Sequence, residues 1–153
     1  MNRFAVSLVA GFGAAIAIFI LCLLSTTQHH LVLVMAPFGA TTVLVFGLPN
    51  SPLAQPKNVI LGHLITAFIG LLCLHTLGVT PSSLALATGL AVAGMMLTDT
   101  THPPAGANPL LIMLTHQHWE FLLTPVLLGA VIIVLTGKLY GQIKRRMPFR
   151  ATS

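Results

Sequence analysis

The run Thr98-Asp99-Thr100-Thr101-His102-Pro103-Pro104-Ala105-Gly106-Ala107-Asn108 decides the fold. A proline disfavours helical geometry in the residue before it, so Pro103 and Pro104 push His102 and Pro103 out of a helix. Yet apolar sequence lies on both sides, over residues 84–98 and 104–115. One helix must therefore end here and another begin, leaving free carbonyls and free amides. If the flanking sequence lies in lipid, those groups must be buried in protein or line a water-filled cavity.

Composition says that lipid is the setting. Of 153 residues, 56% are hydrophobic and 6% are charged, against about 25% charged in an ordinary soluble domain. This excludes a soluble enzyme, a nucleic-acid binder and a disordered segment. Residues 4–24, 59–79, 84–98 and 121–140 read as full or nearly full membrane spans. The first follows Arg3, but it is too long for the apolar core of a signal peptide and is expected to stay as a helix. Cys22 and Cys73 both lie inside apolar runs and read as buried packing residues rather than a disulfide.

A second apolar stretch, 31–48, is interrupted by Pro37 and Gly39. Its Pro37-Phe38-Gly39-Ala40 matches Pro104-Ala105-Gly106-Ala107 of the first break, and Thr41 and Asn108 follow. Both are N-cap types, so each motif reads as a break followed by a helix start. The expected architecture is an all-α, polytopic transmembrane bundle in one domain, 1–153. It has four long spans and two short Pro/Gly-broken segments. The halves 4–79 and 83–141 would form an inverted repeat if the broken segments span, as in many secondary transporters. If those segments re-enter instead, Lys57 changes side; the sequence leaves both arrangements open.

Charge gives orientation. Lys138, Lys144, Arg145, Arg146 and Arg150 cluster at the C-terminal end. The positive-inside rule places that end, with its basic tail 142–153, in the cytoplasm together with the N-terminus. The expected location is a plasma membrane of bacterial inner-membrane type. The tail should also meet anionic lipid headgroups.

Amides at 41–44 and 108–111 would present partial positive charge to a small anion near the midplane. The candidate substrate-binding residues are Pro37, Gly39, Ala40, Thr41, Thr42, Thr101, His102, Pro103, Pro104, Gly106, Ala107 and Asn108. Ionisable residues at membrane depth are costly and usually functional. Asp99, His102 and His63 are therefore candidates for proton coupling or gating, and Lys57 for attracting an anion. His75 is expected near an interface, and His29, His30, His116 and His118 on the surface. They complete no recognisable metal set, so no metal or other cofactor is expected. Trp119 suits an interfacial anchor beside Glu120.

These residues carry a resemblance. Thr101-His102-Pro103-Pro104-Ala105-Gly106-Ala107 resembles the signature of the HPP family of integral membrane proteins. The block from Pro37-Phe38-Gly39-Ala40 through Ser51-Pro52-Leu53-Ala54-Gln55-Pro56-Lys57-Asn58 to Gly62-His63 is also similar to that family. The resemblance covers roughly residues 31–140 and implies four transmembrane helices. Some chloroplast and cyanobacterial members transport nitrite, so it implies a small membrane transporter or channel. The first expectation is a transporter of a small inorganic anion, nitrite foremost, coupled to a proton. The alternatives are a channel or a transporter of another small solute, an accessory subunit, or, least favoured, an intramembrane enzyme. A bundle this small, with Gly11, Gly13, Ala14 and Ala15 available for close helix contact, is expected to form a homo-oligomer.

Overall fold

The computed structural model describes residues 3–27 and 33–146, and these form helices and connecting turns with no strand. The long first helix, α1, covers Arg3–Thr27. Prolines then open three helices. α2 (Ala36–Thr42), α3 (Pro56–Leu77) and α4 (Pro81–Leu97) each carry one in the first two helical positions, where its missing N–H costs nothing. The α4 start is also fixed by a capping box, in which the Thr80 and Ser83 side chains each bond the other's backbone amide. α2 continues into a wider π-helical turn, Val43–Gly47. A 3₁₀ turn, Pro103–Ala107, leads into α5 (Asn108–Leu114), and α6 covers Leu128–Arg146.

α4 and α5 stop in the same way. Asp99 and His116 take left-handed φ of 51° and 52°. Thr100 N–H reaches Met95 O at 2.9 Å and Asp99 N–H reaches Met96 O at 3.3 Å. Gln117 and His116 repeat the pattern onto Ile112 and Met113. These are Schellman caps, so the carbonyls of Met95 and Met96 in α4 and of Ile112 and Met113 in α5 are satisfied by the chain itself. Fewer free carbonyls remain beside Asp99 than the sequence suggests.

Contacts show which end of the bundle each segment reaches. One groove is lined by Val9, Phe12 and Gly13 of α1 and by Leu139, Tyr140 and Ile143 of α6, so the two helices run antiparallel. Pro49, Asn50, Gln55 and Pro56 line a cavity with Lys138 and Lys144. The turn after α2 therefore lies at the basic end. At the opposite end Met35 and Ala36 line a cavity with Thr115, Gln117 and Glu120, and His75 stacks on Trp119 with ring centroids 5.6 Å apart. The first broken segment thus begins beside the cavity with Glu120, and the turn after it lies beside the cavity with Lys138 and Lys144.

Three helical stretches are long and apolar enough to cross a membrane: Arg3–Thr26, Pro56–Leu77 and Trp119–Lys144. The expected fourth span, α4, has 17 residues. That is about 25 Å, against a hydrocarbon core about 30 Å thick. Phe4, Leu8, Phe12, Ile16, Phe19 and Leu23 form an exposed apolar stripe down α1, which suits lipid contact. Cys22 lies exposed in α1 rather than buried, while Cys73 is buried, and both thiols are free. His29, His30, Arg150 and the tail from residue 147 lie outside the described residues.

This layout predicts labelling. In a background lacking Cys22 and Cys73, Lys57→Cys and Lys138→Cys should react with an impermeant maleimide from one side of the membrane. Gln117→Cys should react from the other. Labelling of positions 57 and 138 from opposite sides would mean that the first broken segment re-enters.

Candidate functional site

The two broken segments meet against α3. Thr41 on α2, His63 and Thr66 on α3, His102 at the break and Asn108 at the start of α5 are all buried at 0% exposure. They form one hydrogen-bonded chain. Asn108 Nδ2 lies 3.0 Å from His63 Nδ1, 3.1 Å from His63 O and 2.9 Å from Thr66 Oγ1. Thr41 Oγ1 lies 2.8 Å from His63 Nε2 and 3.0 Å from His102 Nε2. His102 Nδ1 lies 2.8 Å from Leu53 O.

The partners assign the protons. An amide nitrogen only donates, so His63 Nδ1 is the accepting nitrogen and its Nε2 carries the hydrogen. A carbonyl only accepts, so His102 carries its hydrogen on Nδ1 and presents a lone pair at Nε2. The Thr41 hydroxyl fits between them, accepting from His63 Nε2–H and donating to His102 Nε2. Pro37 O, at 3.1 Å, is a second acceptor within its reach. Asn108 Oδ1 is buried with no partner, which costs about 1–3 kcal/mol.

Close packing holds this chain of groups. A Cβ on Gly62 would sit 2.9 Å from Thr100 O and 3.0 Å from His102 Cβ, so only glycine lets the break lie this near α3. The Phe38 ring stands edge-on to His63, with centroids 5.2 Å apart.

The helix starts differ from those expected. Pro37 lies in the first turn of α2, so Thr41 is an interior helical residue and not an N-cap. Asn108 continues the Pro103–Ala107 turn into α5 and makes no cap bond, because its side chain turns toward α3. The amides at 41–44 and 108–111 are therefore not two free helix ends facing one space.

Other candidates lie apart. Gly39, Ala40, Pro103 and Ala107 are exposed, and Gly106 is half-buried. Thr42 is buried and bonds Gly39 O at 2.7 Å. Pro37 and Pro104 are buried, and Thr101 O accepts from Asn58. Asp99 and Lys57 are exposed toward the basic end, as are His75, His116 and His118 at the other. Among the described residues no group of three or more His, Cys, Asp or Glu side chains gathers as a metal site would require.

Three participants escaped the sequence reading. Thr66 has a signal, since it lies one turn beyond His63 on an apolar helix. The Phe38 ring and the Leu53 carbonyl have none that a single sequence offers.

Asp99 is placed to cap. Asp99→Gly removes the left-handed penalty of about 1–2 kcal/mol, and so should raise thermal stability in detergent. A loss of stability in that variant would instead point to a role for the carboxylate.

Two cavities lie elsewhere in the bundle. The one at the basic end has about 640 Å³ and is lined by Ala54, Gln55, Val45, Lys138 and Lys144 among others. The one at the opposite end has about 520 Å³ and includes Met35, Ala36, Leu111 and Glu120. Neither is lined by Thr41, His63, His102 or Asn108.

Comparison with known proteins places the chain in a family. The family described as HPP, transmembrane region, matches residues 1–148. A transmembrane protein of Dictyostelium discoideum is 34% identical over 145 residues, covering 88% of this chain and 47% of that protein. A second from the same organism is 37% identical over 120 residues, covering 73% of this chain and 42% of that protein. The chain thus spans about half the length of these curated relatives. No solved structure matches. On the extent of the family match and of these relatives, the chain is an integral membrane protein that belongs to the HPP transmembrane family.

Proposed function

We propose that this chain is a transporter of a small inorganic anion, with nitrite as the expected substrate, coupled to a proton. One observation carries the reading. A buried polar chain is built from both broken segments, and near neighbours of its residues in sequence line two cavities, Ala54 the one with Lys138 and Lys144 and Leu111 the one with Glu120. Ionisable side chains within a membrane bundle are rare and commonly mark substrate or proton pathways. The buried chain holds no carboxylate, and its N–H and O–H donors, now paired internally, would turn to an anion only when that chain opens. Lys138 and Lys144 at the mouth of the basic-end cavity would raise the local anion concentration.

Two further parts of the reading follow. The halves are read as an inverted repeat about the buried chain, with the first three segments running opposite to the last three. Arg3, Lys57, Lys138 and Lys144 belong to the same end, which is assigned to the cytoplasm of a plasma membrane. The chain is further read as a homo-oligomer, since so small a bundle exposes much of its helix surface.

The test is nitrite uptake into liposomes holding the purified protein, with and without an imposed pH gradient. Saturable uptake that responds to the gradient is expected. Non-saturating flux would place the chain among channels. Wild-type flux in both His102→Ala and Asn108→Ala would remove the buried chain from the pathway.

A further inference from the structure

We propose that His102 Nε2 is the atom that binds the coupled proton, and that the Thr41 hydroxyl is the switch that lets it load and unload. The proposal deepens the anion-transport reading and rests on it for its coupling part, but the proton site stands on geometry alone.

The argument starts from the two acceptors within reach of one hydroxyl. With His102 neutral, Thr41 O–H donates to its Nε2, 3.0 Å away. When a hydronium ion delivers its proton, one O–H bond breaks, one N–H bond forms at Nε2, and water leaves. The ring now donates where it had accepted. The Thr41 hydroxyl then turns its hydrogen to Pro37 O, 3.1 Å away, and accepts from both rings. His63 keeps its hydrogen on Nε2 throughout, because Asn108 Nδ2 holds the other nitrogen. His102 Nδ1–H stays on Leu53 O. Within the buried chain no hydrogen bond is lost without a replacement, but that chain has to open toward a cavity for the hydronium ion to reach the buried Nε2.

The surroundings leave His102 to carry this charge. From α2 it faces Thr41, from α3 His63 and Gly62, and from the loop before α3 the Leu53 carbonyl. His63 is the one titratable group among these, and no charged side chain bonds to the ring among the described residues. Asp99 and Lys57 are exposed. A proton on His102 therefore takes the buried chain from neutral to one positive charge, which a monovalent anion cancels. Proton and anion would cross together without net charge.

The experiment is nitrogen NMR of protein labelled at its histidines, in nanodiscs, titrated between about pH 8 and pH 5. At the upper end His63 should carry hydrogen on Nε2 and His102 on Nδ1. As pH falls, His102 should gain its second N–H while His63 remains neutral. A hydrogen bond to a charged donor is worth about twice a neutral one. Thr41→Val should therefore abolish the doubly protonated His102 signal in this range, and Thr41→Ser should restore it. Reversed tautomers, His63 loading first, or no change in Thr41→Val would each overturn the proposal.

Liposome uptake separates the two claims. Uptake that is driven by a pH gradient and unaffected by a clamped membrane potential is expected. If His102 loads as described but no anion is taken up, the anion reading falls and the proton site stands. If uptake is saturable but His102 never loads, the reverse holds.

Discussion

Asn108→Leu is expected to cost the protein about 2–4 kcal/mol of stability and to reduce uptake more than tenfold. Leucine nearly matches asparagine in shape, so the loss is one of hydrogen bonds and not of volume. The two amide hydrogens are shared among His63 Nδ1, His63 O and Thr66 Oγ1, and of these His63 O keeps a bond from the Thr66 hydroxyl when the amide is removed. Each buried group left unpaired costs about 1–3 kcal/mol. The relief of the unpaired Asn108 Oδ1 offsets part of that sum. The functional loss is larger, because His63 is then free to hold its hydrogen on Nδ1. It would no longer donate to Thr41, and the order of donors along the chain would break. Unfolding in graded detergent denaturant measures the first effect, and liposome uptake the second. A variant as stable and as active as wild type would show that this amide does not organise the site.

Why a sequence reading finds His102 and Asn108 but mislocates the helix starts has a physical answer. The break at Pro103-Pro104 is unmistakable, because no helix accommodates the residue before a proline pair, and His102 is indeed extended at φ −138°. Pro37-Phe38-Gly39-Ala40 has the same letters but a different local outcome. A single proline in the first turn of a helix costs nothing, so α2 starts at Ala36 and runs through Gly39. Nothing lies within 4 Å of where a Cβ on Gly39 would be, so no close approach explains that glycine. The likeness between the two motifs is one of composition, and it led to a helix end where there is a helix interior.

Asp99 shows the opposite hazard. A carboxylate at the end of an apolar run invites a functional reading. Its backbone explains its place instead, since aspartate tolerates the left-handed cap position better than most side chains. His63 shows what periodicity leaves out. α3 packs against α4, α5, α6 and the break and is apolar around most of its surface, so no polar face marks which way a histidine points. Its burial is settled by partners from α2 and α5, distant in sequence.

The last prediction concerns a residue that touches none of the proton-carrying groups. A Cβ on Gly129 of α6 would fall on the Phe38 ring and lie 3.1 Å from Leu33 O. Phe38 is buried and cannot swing into lipid, and its edge meets the His63 ring. Gly129→Ala should therefore cost about 1–3 kcal/mol by overpacking, and should press Phe38 against His63. Uptake should fall together with the His63-to-Thr41 hydrogen bond, which histidine NMR reads directly. Phe38→Leu removes the colliding ring and leaves the contact with Leu33 O, so Gly129→Ala should cost clearly less in that background than in wild type. Contacting residues couple in this way, whereas distant ones add. Additive costs in the double variant would mean that α6 does not bear on the site through Phe38. Strong coupling, with uptake recovering alongside stability, would make α6 the wall that holds His63 in line between Asn108 and Thr41.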